Sequence, residues 1–172
     1  MTIVLKKPVT AKRTFFIRLG GGGEWEQACI SDGTLRLGYI ETPEGPCLAG
    51  QWDQVKELWT QIRRNPRVGN QDGNQIRHFY ETDESCLFIT YANDMVYWCR
   101  PKGRVEVLED KTRKRDTVEG WRCHSIKGVP LSFDRLSSDL LRTKRFIPTA
   151  TRSNPHAPNR ACRWIVSYLA PV

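Results

Sequence analysis

Hydrophobic and polar positions repeat along this chain with two periods, one near 2 and one near 3.6, and each predicts its own elements. Residues 13–19 are rich in β-branched and aromatic side chains (Thr14, Phe15, Phe16, Ile17) and run into four glycines at 20–23, which reads as a strand entering a mobile turn. Ser31-Asp32-Gly33 is a second turn signal. Beyond it Leu35, Leu37 and Tyr39 alternate with Arg36 and Gly38, the pattern of a half-buried strand over 34–40. Two prolines and two glycines make 42–50 a loop. Val55, Leu58, Trp59 and Ile62 recur at helical spacing through Arg63 behind Asp53 as a cap, and Asn65-Pro66 ends that helix. The glycines at 69 and 73 bound a loop, and a short second helix over 74–81 sets Ile76, Phe79 and Tyr80 on one face. Residues 86–91 and 95–99 form a hairpin around Ala92-Asn93-Asp94. Two further strands, 104–108 and 117–123, are joined by a basic loop over 109–116. Ser132 caps a last helix to about 144, with Leu136, Leu140 and Leu141 inward.

Five or six strands with short helices between them predict an α+β domain, a curved mixed sheet or small pseudobarrel with helices packed on it. At 172 residues one domain suffices, here 14–146, preceded by a basic arm (1–13). After Phe146 the composition shifts to proline and small polar residues, so 147–172 reads as a poorly ordered tail. A hydrophobic fraction of 39% is enough for a core and excludes wholesale disorder. The longest apolar runs fall far short of the roughly 20 residues of a membrane span. No apolar segment follows the first lysines, so no secretory signal is read. Six cysteines without a C-x-x-C pair, and only three histidines, argue against structural zinc and point to free thiols in a reducing, cytoplasmic setting.

Charge adds a partner class. The net charge is +8, with +4 over 1–13, +4 over 100–115 and +6 over 142–172, leaving the remainder acidic. Segregated positive charge is the footprint of a polyanion binder, although solvated basic loops have the same composition. Candidate phosphate contacts are Arg18, Arg77, Lys102, Arg104, Lys111, Arg113, Lys114 and Arg115. Gly21 and Gly22 join them, because a backbone without Cβ lets amides approach a phosphate. No Lys-Ser/Thr follows these glycines, which excludes a nucleotide P-loop.

The run Thr14-Phe15-Phe16-Ile17-Arg18-Leu19, the glycines with Glu24-Trp25, and Leu35-Arg36-Leu37-Gly38-Tyr39 resemble the opening of EVE-type domains of the PUA-like superfamily. Related domains form the N-terminal part of some modification-dependent restriction enzymes. Residues 74–80, 86–91 and Tyr97-Trp98 match the helix and hairpin that follow in such domains. The resemblance covers 14–144 and implies a pseudobarrel with a cleft for a flipped, modified base of nucleic acid, DNA before RNA. It also implies an aromatic cage, for which Trp25, Tyr39, Phe79, Tyr91 and Trp98 are the candidates. The final strand such domains carry has no evident match after Phe146. Trp59 belongs to a core-facing helical stripe. Tyr97 and Trp98 point to opposite faces of their strand, so one of them is core.

Catalytic chemistry is poorly supplied. His78 and His124 stand in no nucleophile motif, and Asp83 and Glu84 share a turn. Glu106, Glu109 and Lys111 approach a nuclease pattern but lack an upstream carboxylate. The expectation is a binding module without catalytic residues, metal or cofactor. A metal-dependent nuclease and a basic protein-interaction adaptor are the alternatives.

Overall fold

The computed structural model describes residues 9–125, 128–132 and 134. The expected helix from Ser132, the tail over 147–172 and most of the basic arm lie outside these residues. Within them the chain is α+β, a five-stranded mixed sheet in the order β1-β3-β4-β5-β2 with four helices. The sheet is not closed into a barrel among the described residues, so the sequence reading is met at the level of a mixed sheet with short helices.

β1 (Thr14–Phe16) lies parallel to β3 (Leu87–Ala92), and Ile17 N–H extends the ladder to the Ile89 carbonyl at 2.9 Å. β3 returns as β4 (Met95–Val107) through Asn93 and Asp94, both at positive φ. Two such residues give a hairpin turn whose twist matches its strands. β4 is one 13-residue strand where two were expected, because Pro101 stays in register opposite Thr117 and Gly103 is absorbed at a register shift between Lys102 and Glu106. A bulge takes up extra residues without ending the pairing.

The expected basic loop is a second difference. Only residues 108–112 turn, with Leu108 N–H bonded to the Thr112 carbonyl at 2.8 Å. From Arg113 the chain is β5 (Arg113–Arg122), an interior strand between β4 and β2 (Thr34–Leu37). Arg113 pairs with Leu37 and Arg115 with Leu35, so both arginines point where leucines point.

The helices explain the remaining glycines. α1 (Glu26–Asp32) ends on Gly33 in the left-handed region, so Ser31-Asp32-Gly33 is a helix stop. α2 (Glu44–Leu48) occupies part of the expected loop. α3 (Trp52–Arg63) and α4 (Pro66–Glu81) are separated by Asn65, whose side chain accepts from the Arg67 and Val68 amides while Pro66 opens α4. Gly69 and Gly73 are therefore inside α4, four residues apart on one face. A Cβ on Gly69 would stand 2.3 Å from the Thr60 nitrogen, and one on Gly73 2.5 Å from Lys56 Cγ. They are glycine because two helix backbones meet there.

Side chains divide between the two faces of the sheet. Phe15, Ile17, Leu35, Leu37, Phe88 and Cys99 pack with Val55, Trp59, Ile76 and Phe79 from the helices. Leu87, Ile89, Val96 and Trp98 form a smaller cluster on the other face, joined by Leu131, Phe16 and Tyr91. Cys29, Cys47, Cys86 and Cys99 are free and buried, and Cys123 is free and half-buried. Among the described residues no helix is long and apolar enough to cross a membrane.

Candidate nucleic-acid interface

β2 lies at one edge of the sheet, and its polar positions open a corner of the domain. Leu35 and Leu37 turn inward, which sends Arg36 to the opposite face beside Lys114 of β5. Arg36 Nε donates to Thr112 Oγ1 at 3.0 Å, and its Nη2 is ion-paired with Asp110. Hydrogen bonds from Thr112, with the Arg36 charge, hold the Asp110 carboxyl below its ordinary range. The Arg36 guanidinium lies 4.7 Å from the ring centre of Trp25, a half-buried indole just before α1. Gly38 passes the far edge of that indole, with Trp25 Cη2 3.7 Å from where its Cβ would be. The turn beside Trp25 has Gly20, Gly22 and Gly23 at positive φ, and nothing comes within 4 Å of a Cβ on Gly21 or Gly22. The corner thus joins an aromatic surface, a guanidinium paired with Asp110, and a glycine turn in which the Gly21 amide bonds to Glu24 Oε1 at 3.4 Å and the Gly22 amide to the Gly20 carbonyl at 3.0 Å. Arg36 was read only as the polar position of a strand. Its place beside Trp25 and Lys114 depends on strand register, which a single sequence does not display.

Tyr39 lies just beyond, at φ 57, with its hydroxyl donating to Asp72 Oδ1 at 3.0 Å and 2.6 Å from Gln75 Oε1. Burial, then the Asp72 charge, pushes this phenol well above its usual value. Its ring meets Trp59 edge-on at 4.8 Å, and Arg63, bonded to Asp72 at 2.6 Å, lies over Trp59.

The five aromatic candidates do not converge. Phe79 is 1% exposed and packed on Phe88 in the helix-side core. Trp98 is 4% exposed on the other face, its indole N–H bonded to the His124 carbonyl at 3.1 Å. Tyr91 shares that face, tilted against Phe16 at 5.0 Å. Trp25 and Tyr39 are the two that lie half-buried near one another in sequence and border the helix-side core.

No family model, curated protein or solved structure matches this chain. The EVE-type resemblance therefore stands on the residues quoted for it.

The basic candidates also separate, and two require correction. Arg113 is 1% exposed and binds the carbonyls of Tyr39 at 2.9 Å, Lys111 at 3.1 Å and Thr42, with Nε on Tyr80 Oη at 3.2 Å. Arg115 is 5% exposed and binds the Phe79 and Gly103 carbonyls. Both are inward positions of an interior strand, so neither presents a surface for a nucleic-acid backbone. Arg77 is ion-paired with Glu81 at 2.7 Å, and Lys114 with Glu106 at 3.7 Å. Arg18, Lys102, Arg104 and Lys111 are exposed, as are Gly21 and Gly22. Ten of the 27 basic residues, but only Asp139 of the 19 acidic ones, lie outside the described residues. The described residues thus carry 17 bases against 18 acids, and the whole positive excess lies outside them. Among the described residues no group of three or more His, Cys, Asp or Glu is placed to hold a metal ion, and Glu106 faces Lys114.

Proposed function

We propose that this domain is a nucleic-acid-binding module that recognises a modified, flipped-out base at the corner formed by Trp25, Arg36 and the glycine turn. The observation that carries the reading is the half-buried Trp25 indole with a guanidinium on its ring and unobstructed backbone beside it. A base needs an aromatic or guanidinium plane to stack on, and its phosphate needs amides and cations within reach. The reading includes a PUA-like pseudobarrel. Its support is that Phe15, Ile17 and Leu19, at and just past one edge strand, share a core with Leu35 and Leu37 of the opposite edge. A curved sheet brings its edge strands to one core, here together with the α3 and α4 side chains that bridge them.

The test is fluorescence anisotropy with unmodified, methylated and hydroxymethylated DNA and matched RNA, at two salt concentrations. Binding should weaken steeply with salt, since phosphate contacts release condensed cations. Trp25→Ala should remove the preference for a modified base, because stacking of one base is worth about 1–3 kcal/mol. A folded Trp25→Ala protein that keeps its preference refutes the site. Absence of binding to every probe refutes the function.

A further inference from the structure

The turn between α3 and α4 is cationic and open to solvent. Residues 58–71 contain Arg63, Arg64 and Arg67 and no acid, and every residue from 61 to 68 is exposed. Arg63 is taken by Asp72 at 2.6 Å, although its side chain stays 45% exposed. Neither Arg64 nor Arg67 is ion-paired among the described residues. The backbone amides are not the attraction, because the Asn65 side chain already accepts from those of Arg67 and Val68. What the turn offers is guanidinium groups.

Arg64 also stands where its backbone disfavours a side chain. It ends α3 at φ 52 and ψ 30, the left-handed conformation that glycine takes at no steric cost. Gly33 fills the equivalent place at the end of α1. A side chain kept against the local preference is expected where that side chain serves function rather than fold.

The turn is continuous with the Trp25 corner. Gly38 lies against Trp25, and Tyr39 beside it meets Trp59 edge-on at 4.8 Å. The Arg63 guanidinium lies 5.1 Å from the Trp59 ring centre, and Arg64 follows it in the chain. Of the nearby carboxylates, Asp72 is shared by Arg63 and Tyr39, and Glu41 acts on Arg63 as well.

We propose that Arg64 and Arg67 bind backbone phosphates of the nucleic acid whose base enters the Trp25 corner, a proposal that rests on the nucleic-acid reading. Exposed guanidinium groups bind phosphate through paired hydrogen bonds, and a strand leaving a stacked base lays its next phosphates on the surface beside it. Ile62 and Val68, 40% and 37% exposed beside the arginines, would also suit an anionic bilayer. None of residues 61–68 is aromatic, however, and continuity with the corner favours nucleic acid.

The experiment repeats the anisotropy titrations with the full chain and its Arg64→Gly/Arg67→Gln variant at several salt concentrations. Glycine accepts the left-handed backbone, so the variant stays folded, which thermal melting checks. Affinity for every probe should fall about tenfold or more, and the slope of log affinity against log salt should flatten by about 1.5, as two phosphate contacts are lost. The ratio between modified and unmodified probes should not move, whereas Trp25→Ala abolishes it. Arg122→Gln, which removes a cation lying over Trp98 on the other face of the sheet, should change neither affinity nor slope. A folded double variant with parental affinity and slope overturns the proposal, and the corner still stands if Trp25→Ala loses its preference. An equal loss in Arg122→Gln overturns it too. A parent that binds no probe overturns both readings. Loss of binding to phosphatidylserine vesicles with parental nucleic-acid binding overturns the proposal in favour of a lipid surface.

Discussion

Replacing Arg113 by Met keeps the unbranched stem and removes a buried guanidinium that is ion-paired with no carboxylate among the described residues. That group gathers the carbonyls of Tyr39, Thr42 and Lys111 and the Tyr80 hydroxyl, tying the end of β2, the β4–β5 turn and α4 together. Thr42 is buried and would be left without this donor, at about 1–3 kcal/mol, whereas the less buried acceptors recover water and lose about 0.5–1.5 kcal/mol each. Removing the charge also relieves its own desolvation, which offsets part of the loss. The net expectation is a destabilisation of about 2–4 kcal/mol, or a melting temperature lower by roughly 5–15 °C at this chain length. Lys114→Ala is the control, since its ion pair with Glu106 is partly exposed and worth about 0.5 kcal/mol at most. Urea and thermal unfolding followed by circular dichroism read both variants. An Arg113→Met protein that melts with the parent, or a Lys114→Ala protein that falls as far, refutes the placement of these two neighbours on opposite faces.

Gly69→Ala should lower stability by roughly 1–3 kcal/mol, despite alanine's better helix propensity, because its Cβ meets the Thr60 backbone. Gly45→Ala, with nothing within 4 Å, should not, and equal thermal melts for the two would contradict the α3–α4 contact. Trp98→Ala and Phe79→Ala should each cost about 3–5 kcal/mol in urea unfolding, and a variant as stable as the parent would remove that residue from the core. His78, depressed to about 4 by burial and then by Arg13 and Arg77, favours the neutral fold. Its contribution is full above its unfolded value near 6.5 and is lost as pH falls from there through about 4. His78→Phe should flatten the decline of the unfolding midpoint over that window, and an unchanged decline assigns it to other groups.

What the sequence displayed and what it hid differ by the range of the interaction involved. The hairpin at Asn93 and Asp94, the inward Leu35 and Leu37, and the helical stripe of Val55 and Trp59 were legible, because period and turn chemistry are local. Gly69 and Gly73 misled because a glycine read alone signals a break, while its meaning in α4 is set by Thr60 and Lys56 across a helix pair. Arg113-Lys114-Arg115 misled for the same reason. Three adjacent cations read as one basic loop, yet strand alternation buries the first and third and turns the middle one out. Besides the Lys111 carbonyl, the acceptors that make those burials tolerable come from distant segments, at 38–42 and 80 for Arg113 and at 79, 82 and 103 for Arg115, and no short window of sequence contains them. At the candidate corner Trp25 was legible as an aromatic beside glycines, but Arg36 required the β2–β5 register to be seen.

The placement of charge changes what the proposed function asks of each part of the chain. With ten cations against Asp139 outside the described residues, the described region has nearly balanced charge and two of its cations are buried. Phosphate contacts supply affinity and little selectivity, whereas contacts to the base supply selectivity. On the proposed reading the two are physically separate here: long-range attraction arises mostly from the basic residues at either end of the sequence, and discrimination arises at Trp25 and Arg36. Ionic strength therefore acts on the first and leaves the second largely intact, because a stacked base is not screened as an exposed ion pair is. The ratio of affinities for modified and unmodified probes is thus the quantity that reports on the folded corner, and the absolute affinity reports on the charge around it.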